Sequence, residues 1–303
     1  MRLIKPFLLI LLSLVLFSCS PQGEESGGTT KIVILHTNDM HASLDNMPKL
    51  AAFKKEMEEQ FKNVILVSAG DLFSGNPVVD FHEKKGYPMI DLMNHTGYQV
   101  STLGNHEFDY GQKVLSLRMK QADFPFICAN MKTEDALMPQ PDPYAVIEKG
   151  DIKLLFLGLI ELGNEGVPST HPEKVSGIRF TDPIQTAEEF IHLNGMYNAF
   201  IGLTHLGYET DRELAKTYHQ FDAIMGGHSH TLVEKPEMIN DVLLTQAGDD
   251  LQFVGKVELT FEKGELTDRS ATLINLDDYQ ETDEQMEKLV SEYKNNESLS
   301  RVI

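Results

Sequence analysis

Short apolar runs of strand length recur along residues 31–276. The runs that predict strands are Ile32–Leu35, Val64–Val67, Gln99–Leu103, Pro125–Ala129, Leu154–Ile160, Ala199–Leu203, Ala223–Met225 and Val242–Thr245. Between them, apolar residues return every three or four positions, which predicts helices at Pro48–Phe61, Pro88–His95, Gly111–Gln121, Asp182–Asn194 and Asp211–Gln220. Because strands and helices alternate, the pattern predicts an α/β domain whose sheets are covered by helices.

The last part of the chain has a different pattern. Gly255–Glu262 and Leu266–Leu276 alternate apolar and polar residues on either side of Lys263-Gly264, which predicts a closing β-hairpin. Glu281–Asn295 is charged and amphipathic, as in a surface helix. We therefore expect a main domain over residues 31–276 and a C-terminal helical segment over residues 277–303.

The first twenty residues do not fit a globular domain. Arg2 and Lys5 precede an apolar block, Phe7–Phe17, which is too short to cross a bilayer core of about 30 Å and has the length of a signal-peptide core. Ser18 before Cys19 resembles the cleavage box of bacterial lipoproteins. We expect a signal peptide over residues 1–18, a lipid on Cys19 and a flexible tether over residues 19–30. This interpretation predicts an exported bacterial lipoprotein, anchored to a membrane in the periplasm or at the cell surface; the alternative is a plain secretory peptide with an incidental cysteine.

Acidic residues dominate the charge of the chain. The formal net charge is −20, and removal of residues 1–18 would take away Arg2 and Lys5 and leave −22. Such a surface repels the phosphates of nucleic acid, so we expect no nucleic-acid partner. A small anionic substrate would need a local positive centre, which bound metal ions can supply.

Seven potential metal ligands follow predicted strands at five separate places. They are Asp39, His41, Asp71, Asn105, His205, His228 and His230. A single Asp or His after a strand is usually a solvated turn residue, but five strand ends with the same chemistry favour a shared site, because the carboxyl ends of parallel strands meet at one crevice. Carboxylate, carboxamide and imidazole together suit Zn²⁺, Mn²⁺ or an Fe- or Co-type ion. Seven ligands are too many for one tetrahedral ion and predict two divalent metal ions about 3.5–4 Å apart.

The ordered set of motifs resembles the calcineurin-like metallophosphoesterases over about residues 31–276. The segments ILHTNDMH, GNHEFDYG and GGHSH are similar to the 5′-nucleotidase branch of that family, which includes bacterial UDP-sugar hydrolases. The resemblance implies a calcineurin-like phosphoesterase fold of the α/β (α+β) class: a four-layer α-β-β-α sandwich of two mixed sheets flanked by helices. It also implies a hydrolase that uses a metal-activated water to cleave extracytoplasmic nucleotides or related phosphomonoesters.

The resemblance also assigns roles to the motif residues. One metal ion takes the ligands Asp39, His41 and His230, the other takes Asn105, His205 and His228, and Asp71 bridges the two. In the loop GNHEFDYG, His106 is expected to act on the phosphoryl group and Asp109 to orient and charge His106. Glu107 and Phe108 are expected to be structural.

The chain differs from the two-domain 5′-nucleotidases after this region. In that branch a C-terminal domain follows and binds the nucleobase, whereas here nothing follows Ile303 and there is no Trp. We therefore expect that domain to be absent, Glu281–Asn295 to resemble its linker, and a separate chain to supply nucleotide binding. The alternatives are a broad-specificity phosphomonoesterase, a UDP-sugar or cyclic-nucleotide hydrolase, a sulfur-ester hydrolase on the same scaffold, and a non-catalytic lipid-anchored binding protein.

Overall fold

The computed structural model describes residues 28–295, so the predicted signal peptide and the lipidation site Cys19 lie outside the described residues. The strands are β1 (Thr29–Thr37), β2 (Val64–Ser68), β3 (Val100–Thr102), β4 (Phe126–Ile127), β5 (Met131–Thr133), β6 (Tyr144–Lys149), β7 (Ile152–Ile160), β8 (Ile178–Phe180), β9 (Ala199–His205), β10 (Ala223–Met225), β11 (Glu237–Ile239), β12 (Val242–Thr245), β13 (Phe253–Glu262) and β14 (Glu265–Asn275). The α-helices are α1 (Met47–Gln60), α2 (Pro77–Asp80), α3 (Tyr87–Thr96), α4 (Gln112–Gln121), α5 (Pro183–Glu188), α6 (Tyr208–Thr217) and α7 (Glu284–Lys294). Between residues 28 and 295, none of these helices has the length and apolar character needed to cross a membrane.

Two six-stranded mixed sheets form the centre of the domain. The first has the strand order β14-β13-β1-β2-β3-β4, in which β1 to β4 are parallel and β13 and β14 are antiparallel additions at one edge. The second has the order β11-β12-β10-β9-β7-β6, in which the four central strands are parallel and both edge strands are antiparallel. Strands β5 and β8 form a separate pair.

Alternation along the central strands builds the layers. In β1, Ile32 and Ile34 pack between the two sheets, whereas Val33 and Leu35 face the helices. In β7, Phe156 faces the first sheet, while Leu155 packs against α5 and α6 on the outside. Helices α1, α3, α4 and α7 cover the first sheet, so the order of layers is α-β-β-α, which confirms the predicted fold class.

The predicted strands and the closing hairpin are all present, with ends shifted by one to three residues. Strand β1 begins at Thr29, inside the stretch expected to be a tether, and the hairpin turns at Lys263 and Gly264, which both have positive φ. The single helix predicted over Asp182–Asn194 is wrong in its second half. The α-helix ends at Glu188, and a 3₁₀ turn over Ile191–Leu193 follows because the backbone changes to i→i+3 hydrogen bonds there.

The sequence pattern did not reveal β6, which is a half-buried edge strand, or the three-residue strands β5, β8 and β11. The C-terminal helix α7 is packed onto the domain. It buries Met286 and Val290 against α1 and α3, and Asp283 caps its N-terminus by accepting from the Met286 N–H.

Candidate metal centre

All seven predicted metal ligands meet at the carboxyl ends of the central strands. Asp39 and His41 follow β1, Asp71 follows β2 and Asn105 follows β3, so the first sheet contributes four. The second sheet contributes the other three: His205 is the last residue of β9, and His228 and His230 follow β10. The site therefore lies where the edges of the two sheets come together.

The first group of ligand atoms comes from Asp39, His41 and His230, whose donor atoms all lie within 4.8 Å of one another. The Nε2 atoms of His41 and His230 are 3.0 Å apart, and Asp39 Oδ1 lies 3.8 Å from His230 Nε2. These are the three residues that the resemblance assigns to one metal ion.

The second group comes from Asp71, His205 and His228, with Asn105 among them. Asn105 Oδ1 lies 3.0 Å from His228 Nδ1 and 3.2 Å from His205 Nε2, and Asp71 Oδ2 lies 3.1 Å from the same His205 nitrogen. Asp39 Oδ1 is 3.9 Å from that nitrogen, so the two groups adjoin.

The backbone at these residues is unusual. Five of the seven predicted ligands have positive φ: Asp39, His41, Asp71, His228 and His230. Positive φ is uncommon outside glycine and costs of order 1–3 kcal/mol per residue, so strain is concentrated at the site. Gly104 permits the close approach of two loops, because a Cβ there would lie 2.2 Å from Asp71 Oδ1.

The hydrogen bonds of the histidines leave a ring nitrogen directed at the cluster. Nδ1 of His205 lies 2.8 Å from the Ala69 carbonyl oxygen, and Nδ1 of His41 lies 3.3 Å from the Ser74 carbonyl oxygen. Because Nδ1 donates to these carbonyls, the Nε2 atoms of the neutral rings present lone pairs, as in histidines that bind metals. Lone pairs of nitrogen and oxygen therefore converge in one volume, and this donor set fits divalent cations of the Zn²⁺ or Mn²⁺ type.

The electrostatics of the cluster also favour a cation. Burial alone would lower the pKa of His205, but the neighbouring carboxylates of Asp71 and Asp39 raise it to about 10. Burial alone would raise the pKa of Asp71, but His205 and the hydrogen bonds of His106 bring it to about 2. A field that keeps a proton on a fully buried imidazole would equally stabilise a metal cation in its place.

His106 and Asp109 form the expected pair beside the cluster. His106 Nδ1 donates to Asp109 Oδ2 at 2.6 Å, and this bond is the main reason that the pKa of His106 is raised to about 9. Ser74 Oγ donates to the same Asp109 oxygen at 2.6 Å, and Lys174 Nζ lies 3.5 Å from the other. The backbone N–H of His106 donates to Asp71 Oδ1, so the pair is tied to the residue expected to bridge the ions.

Glu107 holds the loops of the site together. It is fully buried and accepts hydrogen bonds from the backbone N–H groups of Asp71, Leu72 and Gly104. Sequence reasoning assigned Glu107 only a structural part, and these contacts show what it holds in place. Its position in GNHEFDYG, next to the buried Phe108, was the only signal available.

Three further supporting residues were missed by the sequence reasoning. Asn38 donates to Asp39 Oδ2 at 2.7 Å, Asp249 Oδ2 lies 3.1 Å from His230 Nδ1, and the Ser169 carbonyl oxygen accepts from Asn105 Nδ2 at 3.2 Å. Only Asn38 adjoins a motif residue in sequence. The other two are distant in the chain, and only the fold reveals them.

Two mixed sheets with paired metal-ligand groups at their shared edge define a metal-dependent hydrolase domain. Residues 32–232 match the family described as calcineurin-like phosphoesterase. The chain therefore belongs to the calcineurin-like phosphoesterase family, a family of phosphoric ester hydrolases, as the motifs predicted.

Similar proteins carry nucleotide phosphoesterase names. The trifunctional nucleotide phosphoesterase protein YfkN of Bacillus subtilis is 30% identical, with 88% of this chain and 21% of that protein covered. A 5′-nucleotidase of Vibrio cholerae is 28% identical, with 82% of this chain and 52% of that protein covered. The crystal structure of a 5′-nucleotidase precursor from Thermus thermophilus superposes with a TM-score of 0.76 at 28% identity and covers 87% of this chain and 58% of its own. The chain thus spans about a fifth of the first relative and about half of the second.

Proposed function

We propose that this protein is a dinuclear-metal phosphomonoesterase of the 5′-nucleotidase type. The observation that carries the proposal is the pair of adjoining ligand groups with the His106–Asp109 pair directly beside them. In this proposal Asp39, His41 and His230 hold one divalent ion and Asn105, His205 and His228 hold the other. Asp71 bridges them because its two oxygens face different partners, His106 N–H and His205 Nε2.

Two divalent cations at these positions would bind the phosphate oxygens and supply a water acidic enough to attack phosphorus. The protein's own groups then have separate tasks. Asp109 keeps a proton on His106 Nδ1, and the free Nε2–H of the imidazolium donates to a phosphoryl or leaving-group oxygen. Ser74 and Lys174 hold the Asp109 carboxylate in the orientation that this hydrogen bond requires.

The names of the relatives support a nucleotide as substrate, since two of the three reported above are called 5′-nucleotidases and the third a nucleotide phosphoesterase. UDP-sugars, cyclic nucleotides and simple phosphomonoesters are the alternative substrates. A non-catalytic binding protein is not favoured, because the chain belongs to a hydrolase family.

The test combines metal analysis of the purified protein with phosphate release from AMP, UDP-glucose, cyclic AMP and p-nitrophenyl phosphate. We expect metal-dependent release from AMP, close to two ions bound per chain, and loss of release in Asp71→Asn and His106→Ala. His219→Ala changes an exposed histidine outside the site and serves as the matched control. Absence of release from all four compounds at full metal occupancy would refute the proposal. If AMP is hydrolysed only after a second protein is added, a partner chain supplies nucleotide binding.

We also propose that the protein is exported and lipid-anchored through Cys19. The support is the order of the positive residues, the apolar block Phe7–Phe17 and the Ser-Cys pair. Growth with a labelled fatty acid should label the wild-type protein in the membrane fraction and not the Cys19→Ser variant. Equal labelling of both would refute the anchor.

A further inference from the structure

A cavity of about 520 Å³ opens beside the metal centre, between the N-terminal ends of α5 and α6. Its lining includes Glu161, Leu162, Asp182, Leu206, Glu213 and His228. Since His228 belongs to the second ligand group, a phosphoester held at the metal centre would have this space next to it. The proposed reaction assigns no role to the cavity.

Glu161 is a built feature of the cavity wall. Its side chain is only 6% exposed, and one carboxylate oxygen accepts from the backbone N–H of Ser169. Among residues 28–295, no group donates a hydrogen bond to the second oxygen, which is left for whatever enters the cavity. A buried carboxylate with an unused acceptor is costly unless a hydrogen-bond donor reaches it.

The rest of the lining has a consistent character. Asp182 and Glu213 add two exposed carboxylates at the mouth, and none of the described lining residues is Lys or Arg. Leu162, Ile184 and Leu206 supply apolar surface. The described lining contains no Phe or Tyr, so it offers no phenyl ring on which a nucleobase could stack.

We propose that this cavity binds the leaving group of the substrate as a neutral, hydroxyl-bearing group, such as the ribose of a nucleoside or a free sugar. The inference rests on the proposed phosphomonoesterase function and narrows its substrate class. Carboxylates accept hydrogen bonds from sugar hydroxyls, and the leucines pack against the carbon skeleton. The same carboxylates repel a leaving group that carries a phosphate, so nucleoside monophosphates and sugar phosphates are preferred over diphosphates.

The experiment compares two substrate pairs that differ in the charge of the leaving group. AMP and ribose 5-phosphate release neutral groups, whereas ADP and pyrophosphate release anionic ones. In the metal-loaded full chain, Glu161→Gln keeps an oxygen for the Ser169 N–H and removes only the charge, and Glu213→Gln removes a charge at the exposed mouth. Glu188→Gln, at the end of α5 and outside the cavity, is the matched control.

We expect Glu161→Gln to lower the kcat/KM ratio of AMP to ADP, and of ribose 5-phosphate to pyrophosphate, by about tenfold. Glu213→Gln should lower both ratios by a smaller factor, and the control should leave them unchanged. An equal loss of activity on all four substrates would mean that Glu161 only holds Ser169, and through it Asn105, which overturns the inference while the phosphatase function stands. If the wild type releases phosphate from none of them, the proposed function fails and the cavity inference fails with it.

Discussion

Acidifying the protein from about pH 7.5 to about pH 4.5 should remove about 3 kcal/mol of stability through one side chain, His36. This histidine lies on β1, is fully buried, and has no hydrogen-bond partner for either ring nitrogen within the described chain. Its ring packs directly on Gly255 of the neighbouring strand, where a Cβ would lie 1.9 Å from Nε2. Burial lowers the pKa of His36 from the ordinary value of 6.5 to about 4.

The magnitude follows from the difference between the folded and unfolded pKa values. At about 1.4 kcal/mol per pKa unit, a decrease from 6.5 to about 4 is worth about 3 kcal/mol. The unfolded chain takes up a proton on His36 below pH 6.5, whereas the folded protein does so only near pH 4. The folded state therefore keeps its full stability above pH 6.5 and loses it as the pH falls through this interval.

The assay is urea unfolding at several pH values in the presence of a chelator, for the wild type and for His36→Leu. Other titrating groups affect both proteins equally, so the difference between their unfolding free energies isolates His36. We expect that difference to shift by about 3 kcal/mol in favour of the leucine variant between about pH 7.5 and about pH 4.5. The exposed His219→Leu should follow the wild type throughout. Parallel curves for the wild type and His36→Leu would show that the buried imidazole is protonated in the folded state, and the reasoning would be refuted.

The remaining predictions concern the site. Glu107→Gln should weaken metal binding about 10- to 100-fold in a calorimetric titration, because a carboxylate that holds two ligand loops is replaced by an amide with one acceptor; unchanged affinity would contradict this. Asp109→Asn should lower kcat about 100-fold and more at pH 8 than at pH 6, because the carboxylate raises the pKa of His106 to about 9 and the variant loses the imidazolium as the pH rises; a uniform loss across the pH profile would point to a different role. Gly104→Ala should abolish metal-dependent activity, since its Cβ would overlap a metal-ligand carboxylate, whereas Gly163→Ala, with its nearest contact at 3.4 Å, should retain activity; an active Gly104→Ala would disprove the close approach.

The sequence predicted the framework of the site because its ligands are local features of strand ends. Asp39, Asp71, Asn105 and His205 each follow a clear apolar run, and parallel topology brings such ends together. The strand pattern was readable because the central strands are buried on both faces and have continuous apolar runs. Strand β6 was missed because it is an edge strand with a half-buried mixture of apolar and charged residues.

The supporting contacts could not be predicted, since they depend on distances between segments far apart in sequence. Ser169 is 64 residues from Asn105, and Glu107 is 36 residues from Asp71. No local periodicity marks Ser169 as the residue that joins Glu161 to the metal centre. Likewise, the positive φ of the ligand residues is not evident from their types, because Asp and His also occur with ordinary backbone angles in most turns.

The division of the ligands between the two sheets has a mechanical consequence. Ions coordinated by Asp39 and His230, or by Asn105 and His228, would cross-link the sheets, in a domain whose one described cysteine, Cys128, is a free thiol. Metal loading should then resist separation of the sheets and slow proteolysis and amide exchange in both, with a gain in stability that grows with the logarithm of the free metal concentration. Depletion of metal would therefore expose the protein to proteases as well as stop its catalysis.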